Sequence, residues 1–310
     1  MTKSLAAPSQ TNSTFACLLY DSTMKAVLGT AANEDLFIGL IEFLIPGKHI
    51  ASLQLLNKEH HGIADSEKSV IFDLLCVDRD SGEEFEVEMQ NAEEDSYRDR
   101  ILYYSFFPIR EQLAQKKERC KKNPDARMDY SLNPVYVISF VNFKLEHESD
   151  KALEDGYLSR YEIRNGANSE ILTPSLNFVF VEMGRLRLKH DEYDQCRSKM
   201  EELVFAFKYM HTFEKLPERF RDNSLVERLA DASRLAKLTA EELSNYEHAM
   251  TTELDRQLQL EFALKKGREE GRVEGREEIA VEIAKSLLSR GLAVEDICEI
   301  TGLPAEKFTD

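Results

Sequence analysis

The stretch from Val70 to Gln90, VIFDLLCVDRDSGEEFEVEMQ, constrains the fold more than any other part of the chain. An apolar run, Val70 to Val77, leads into turn chemistry at Asp80-Ser81-Gly82 and then into strict alternation from Glu84 to Gln90, the pattern of a β-hairpin. On the second strand Phe85, Val87 and Met89 share one face, and Glu84, Glu86, Glu88 and Gln90 the other. Glu84 and Glu86 are expected to be solvated on an exposed edge. Asp73 breaks the apolar run between Phe72 and Leu74. A lone carboxylate is costly to bury, so Asp73 calls for a hydrogen-bonding partner or a cation. The hairpin brings the acidic strand face back beside it, Glu88 and Gln90 nearest. Two carboxylates in a half-buried cleft suit a hard divalent cation.

The flanks follow helical and strand periods. A core helix is expected over 21–45, with Leu36, Leu40, Phe43 and Leu44 in one stripe. Another is expected from about Asp95 to Ala114, carrying Tyr97, Arg100, Ile101 and Tyr104 on one face, with a kink or break at Pro108. Arg100 can hold a phosphate in bidentate fashion or pair with a nearby acid. Strands at 135–143, 157–163 and 176–182 extend the hairpin into a sheet of about five strands. Helical periodicity then takes over through 191–211, 218–237 and 239–265, with an N-cap candidate at Thr239.

A net charge of −17 over 310 residues argues against nucleic-acid binding by the whole surface. Any such contact is local. The candidate is the basic run Lys116, Lys117, Arg119, Lys121 and Lys122, which is equally the pattern of a solvated helix end. The five cysteines show no C-x-x-C spacing, so neither zinc nor a disulfide framework is expected, and a reducing cytoplasm is the natural compartment. No stretch is long and apolar enough to span a bilayer. Gly-x-Ser-x-Gly, the P-loop and the dinucleotide fingerprint are absent, which removes the common routes to a serine hydrolase, an NTPase or a dinucleotide enzyme.

An Asp in an apolar strand, followed after fourteen residues by Glu88-Met89-Gln90, resembles the PD-(D/E)XK nuclease core in its Glu-x-Gln variant, as in the recombination-promoting nuclease and transposase family. Met24–Gly29 with Asn33–Leu36 is similar to that family's opening helix. Tyr97–Tyr104 is similar to its post-motif helix, and Asn133–Ile138, Phe178–Glu182 and the Gly-Arg-Glu tail extend the resemblance from about Asp21 onward. It implies an α/β, restriction-endonuclease-like core with a central mixed sheet flanked by helices, followed by an all-α module. In the mechanism it implies, Asp73, Glu88 and the Met89 carbonyl hold Mg2+ (or Mn2+). Gln90 stands where lysine is usual and orients the attacking water. Glu34 or Glu42 is a candidate third acid.

The expected organisation is a disordered lead-in over 1–16, a nuclease-like core over 17–190, a helical module over 191–265, and a repeat linker with a helical tail over 266–310. The repeat spaces Gly267, Gly271 and Gly275 four apart. Beyond it Ile279, Ile283 and Leu287 form an apolar stripe suited to docking or homo-oligomerisation. The function expected is a metal-dependent DNA endonuclease linked to recombination or transposition. The alternative is a nuclease-fold protein with little or no catalysis, acting as a binding, regulatory or oligomerising module.

Overall fold

The computed structural model describes residues 13–309 apart from 57–58, 61–69, 72–73, 124, 126, 150–152 and 154. Its centre is a six-stranded mixed sheet. In chain order the strands are β1 (Leu53–Leu55), β4 (Leu74–Asp78), β5 (Glu84–Gln90), β6 (Val135–Val141), β7 (Leu158–Arg164) and β8 (Ile171–Glu182), while β2 (Glu59–His60) and β3 (Val70–Ile71) form a separate antiparallel pair. The spatial order is β1-β4-β5-β6-β8-β7. The hairpin β4–β5 is antiparallel, as its turn chemistry requires. Gly82 takes φ +71°, and the Asp78 carboxylate accepts hydrogen bonds from the Ser81 hydroxyl at 2.6 Å and amide at 3.2 Å. β5–β6 and β6–β8 are parallel, and β7 returns antiparallel on β8.

β5 therefore lies inside the sheet, which corrects the expectation of an exposed acidic edge. Glu86 is fully buried and Glu84 nearly so, because β4 and β6 flank the strand. Leu75, paired with Glu86 in register, packs with Phe107 and Tyr104 of α3 (Tyr97–Lys122). That helix runs longer than expected. Pro108 does not end it: the missing N–H costs one bond toward the Tyr104 carbonyl, and burial of Phe107 and Pro108 offsets the loss. The basic run is thus the last two turns of α3.

The expected single helix over 21–45 is two, α1 (Asp21–Leu28) and α2 (Glu34–Leu44), separated by Gly29-Thr30 and a 3-10 turn. Both pack on the other face of the sheet, in one cluster with Phe85, Val87 and Met89. Helices α4 (Lys199–Tyr209) and α5 (Ser224–Ala232) enter the same cluster. Phe205, Phe207, Val226 and Leu229 are all buried there, with Phe207 stacked on Phe140 of β6 at 4.6 Å between ring centroids. Each such side chain contributes about 1.5–3 kcal/mol on burial. Phe15 and Ala16, expected in a disordered lead-in, are fully buried, and the Ala16 amide donates to the Ser233 carbonyl at 2.8 Å. Residues 1–12 lie outside the described residues.

Helix α6 (Ala240–Ser289) begins with the capping box that Thr239 announced. Thr239 Oγ1 accepts from the Glu242 amide at 3.2 Å, and Glu242 Oε2 accepts from the Thr239 amide at 2.7 Å. The chain divides into two compact units, Met1–Ala249 and Met250–Asp310. The glycine repeat is helical: Arg and Glu are good helix formers, Glu269 and Arg272 pair one turn apart, and helix continues on both sides. Within the second unit α7 (Val294–Thr301) packs on the end of α6 through Ala284, Ile297, Leu303 and Phe308. The packed face of α6 is Ala280, Ala284, Leu287 and Leu288, where the small alanines admit α7, while Ile279 and Ile283 of the expected stripe are exposed.

Candidate active site

The site is built where β5 ends against the first turns of α3. Period-two alternation sends Val87 and Met89 into the core with α1 and α2, and leaves Glu86, Glu88 and Gln90 on the α3 face. Parallel register places Ser139 of β6, fully buried, beside Glu88, and Val141 beside Gln90. On α3, Arg100 and Tyr104 are one turn apart and so share a face.

These groups form one electrostatic neighbourhood. Burial raises the Tyr104 hydroxyl above its ordinary value. The Arg100 charge works against that rise, and the carboxylates of Glu88, Glu94 and Glu86 add to it. Arg100 Nη2 donates to Gln90 Oε1 at 2.6 Å, and Nη1 lies 3.3 Å from the Glu94 carboxylate. The guanidinium also sits over the rings of Tyr97 and Tyr104, 5.2 and 5.7 Å from their centroids. Gln90 Nε2 donates to the Ala92 carbonyl at 2.7 Å.

Asp73 lies outside the described residues. Leu74, which follows it in sequence, pairs with Val87, which precedes Glu88. Glu34 and Glu42, the candidate third acids, are not brought together with Glu88. Their helix packs on the opposite face of the sheet, and each spends a carboxylate oxygen on a backbone amide, Glu34 on Leu53 at 2.8 Å and Glu42 on Ile50 at 2.9 Å. The acid of the opening helices within electrostatic reach of Arg100 is instead Asp21, the first residue of α1. Desolvation by the surrounding protein raises its carboxyl more than Lys25 and Arg100 lower it, but Asp21 is exposed on the surface, so that rise is small in water. Sequence reasoning missed Asp21. Its only signal there is an acid in a first helical turn, which the helix dipole explains equally well.

The basic run is not part of this neighbourhood. Lys116 stands sixteen residues beyond Arg100 on α3, roughly 24 Å along the axis. Its ammonium is held by Asp129 at 2.5 Å and the Ser131 carbonyl at 2.6 Å, and Lys121 and Lys122 both approach Glu118, at 3.5 and 3.6 Å.

A scan against protein-family models matches residues 18–263 to the PD-(D/E)XK nuclease family transposases. The chain belongs to that family. The mixed sheet with helices on both faces is the restriction-endonuclease-like arrangement of the PD-(D/E)XK fold. Among curated proteins nothing matches, and among solved structures nothing matches.

A divalent metal is the group this fold implies. Among the described residues no group of three or more His, Cys, Asp or Glu converges as a metal cage. The donors on the α3 face are nonetheless hard carboxylate oxygens, from Glu86 and Glu88, which is the chemistry Mg2+ or Mn2+ takes in preference to sulfur or imidazole. No helix among the described residues is long and apolar enough to cross a membrane.

Proposed function

We propose that this transposase-family nuclease is a Mg2+- or Mn2+-dependent endodeoxyribonuclease, with Asp73, Glu88 and the Met89 carbonyl as the metal-holding set. The observation that carries the reading is the placement of Glu88 at the end of an interior strand, among Glu86, Tyr104 and Arg100 and in the register that pairs Leu74 with Val87. A divalent ion bound there lowers the pKa of a coordinated water and offsets charge on the phosphate. In the reaction, water oxygen bonds to phosphorus, the bond to one ester oxygen breaks, and that oxygen leaves with a proton.

The chain's own residues supply the rest. Glu88 supplies carboxylate oxygens from a backbone held in register beside Ser139 of β6. Tyr104, its hydroxyl kept protonated by burial, can donate to a phosphate oxygen. Lys117, Arg119, Lys121 and Lys122 offer exposed charge to the DNA backbone from the last turns of α3. The test is cleavage of supercoiled and linear DNA with Mg2+, with Mn2+ and with EDTA, by the parent and by Glu88→Ala. Metal-dependent cleavage by the parent, lost in Glu88→Ala while the melting curve is kept, is the expected result. Absent cleavage by both would favour the reading as a binding or regulatory protein, and metal-independent cleavage by both would take the chemistry away from a metal held at Glu88.

A further inference from the structure

We propose that Arg100 is the working cation of this site, in the role that a lysine at position 90 would otherwise fill, and that Gln90 is a positioning residue acting through Arg100, not on water. The inference rests on the nuclease reading above and deepens it.

The Gln90 amide is committed at both ends. Its oxygen accepts from Arg100 Nη2 at 2.6 Å and its nitrogen donates to the Ala92 carbonyl at 2.7 Å. A guanidinium has no acceptor and a carbonyl has no donor, so this pairing also fixes which end of the amide is oxygen. The amide oxygen keeps a second lone pair, but its direction is set by Arg100, and the amide in turn steadies the guanidinium.

Arg100 is suited to the task it is held for. Its side chain is about one-third exposed, at 31%, so it reaches solvent, yet its Nε is buried and meets no acceptor among the described residues. The rings of Tyr97 and Tyr104 and the Glu94 carboxylate confine the plane of the guanidinium. Donors remain for an oxygen ligand beyond those facing Gln90 and Glu94. Nearby carboxylates of Glu86, Glu88 and Glu94 make a fixed positive charge favourable there. A lysine at position 90 would set a like charge against Arg100, whereas glutamine supplies the neutral acceptor that an arginine needs. As negative charge grows on the phosphoryl oxygens, a pre-held guanidinium stabilises it through charge-assisted hydrogen bonds without reorganising.

The test uses the full chain with Arg100→Ala, Arg100→Lys, Gln90→Leu and the exchange Gln90→Lys with Arg100→Ala. Single-turnover cleavage is measured at saturating DNA, and DNA affinity separately in Ca2+. Arg100→Ala is expected to lose about 10²–10³ in rate with less than about tenfold change in affinity, as for removal of one transition-state donor. Added guanidinium should restore part of it, Gln90→Leu should lose about tenfold, and the exchange should recover at least about tenfold over Arg100→Ala alone. A rate loss in Gln90→Leu larger than in Arg100→Ala would put Gln90 on the water and overturn the proposal. So would a loss confined to affinity in Arg100→Ala.

A second readout separates this from the nuclease reading. The Nε–H resonance of Arg100, assigned by its loss in Arg100→Lys, should move when a phosphodiester dinucleotide is added with Mg2+. If the parent cleaves nothing but the resonance moves, the nuclease reading fails and Arg100 stands as the phosphate-binding cation. If the parent cleaves and the resonance is unmoved, the proposal falls alone.

Discussion

His147 Nε2 lies 2.5 Å from Glu182 Oε1, and the Glu182 carboxylate is fully buried at the end of β8. Its other oxygen accepts from Arg185 Nε at 2.6 Å and from the Leu145 amide at 2.9 Å, while His147 Nδ1 faces the Tyr161 hydroxyl at 3.0 Å. One buried carboxylate thus ties the segment after β6 to β8. Glu182→Ala takes the carboxylate from His147 and leaves Arg185 with the Leu145 carbonyl as a neutral acceptor, and removal of one partner from such a network costs about 3–5 kcal/mol. The expected outcome is a lower urea midpoint with an unchanged slope. A variant as stable as the parent would show that the network is dispensable.

Gly184, two residues beyond Glu182, has no room for a side chain. A methyl group there would meet the Phe143 backbone, with the Phe143 carbonyl oxygen 2.6 Å away. Since backbone cannot yield as a flexible side chain does, Gly184→Ala should destabilise by about 1–3 kcal/mol. Thermal melting checks this, with Gly166→Ala, where nothing lies within 4 Å, as the neutral control.

His211 gives a pH dependence. Burial holds its imidazole down to about 4, and its Nδ1 is buried without a partner among the described residues. The unfolded chain binds the proton near pH ~6.5. Stability is therefore whole above about pH 6.5 and is lost as pH falls from there toward 4, to a limit of about 3 kcal/mol. Denaturant midpoints measured from neutral pH down to mildly acidic pH should fall in the parent and fall less in His211→Phe. Parallel curves would place the acid sensitivity elsewhere.

For the end of α3 two behaviours are expected. Changing Lys117, Arg119, Lys121 and Lys122 to Gln should weaken duplex binding and reduce the log-log salt slope by about 0.9 for each phosphate no longer neutralised. Lys116→Gln should act mainly on the loop at 129–131, since Asp129 and Ser131 hold that ammonium and Asp129 is pulled down to about 2 by it. Filter binding across a salt series, with melting as companion, distinguishes the two groups.

Ending the chain after Ala249 should leave a folded nuclease unit, because the first compact unit closes there and not at Gly267. Ending it before Leu243 should lower the melting temperature, since buried Tyr246 packs with Ala16 and Cys17 and its hydroxyl accepts from the Cys17 amide at 3.3 Å. Light scattering on the full chain and on the chain ending at Ala249 tests self-association through the tail, whose helix exposes Leu254, Leu258 and Phe262. An unaltered association state on truncation would remove the tail from any oligomer.

Local chemistry was enough for the central hairpin, its turn and the family. Alternation in Glu84–Gln90, the turn at Gly82 and the capping box at Thr239 each depend on residues within a few positions, and so were legible in the sequence. So was the pairing of Glu88 with Gln90 on one strand face, because a strand puts every second residue on the same side. What only the tertiary structure decided is which surface each element meets. The order β4-β5-β6 buried Glu84 and Glu86, and packing on opposite sheet faces set Glu34 and Glu42 apart from Glu88. The hydrogen bond from Arg100 to Gln90 is of the same kind. It joins a strand end to a helix across a loop, and spacing along the chain does not announce it, because direction and distance between side chains follow from packing.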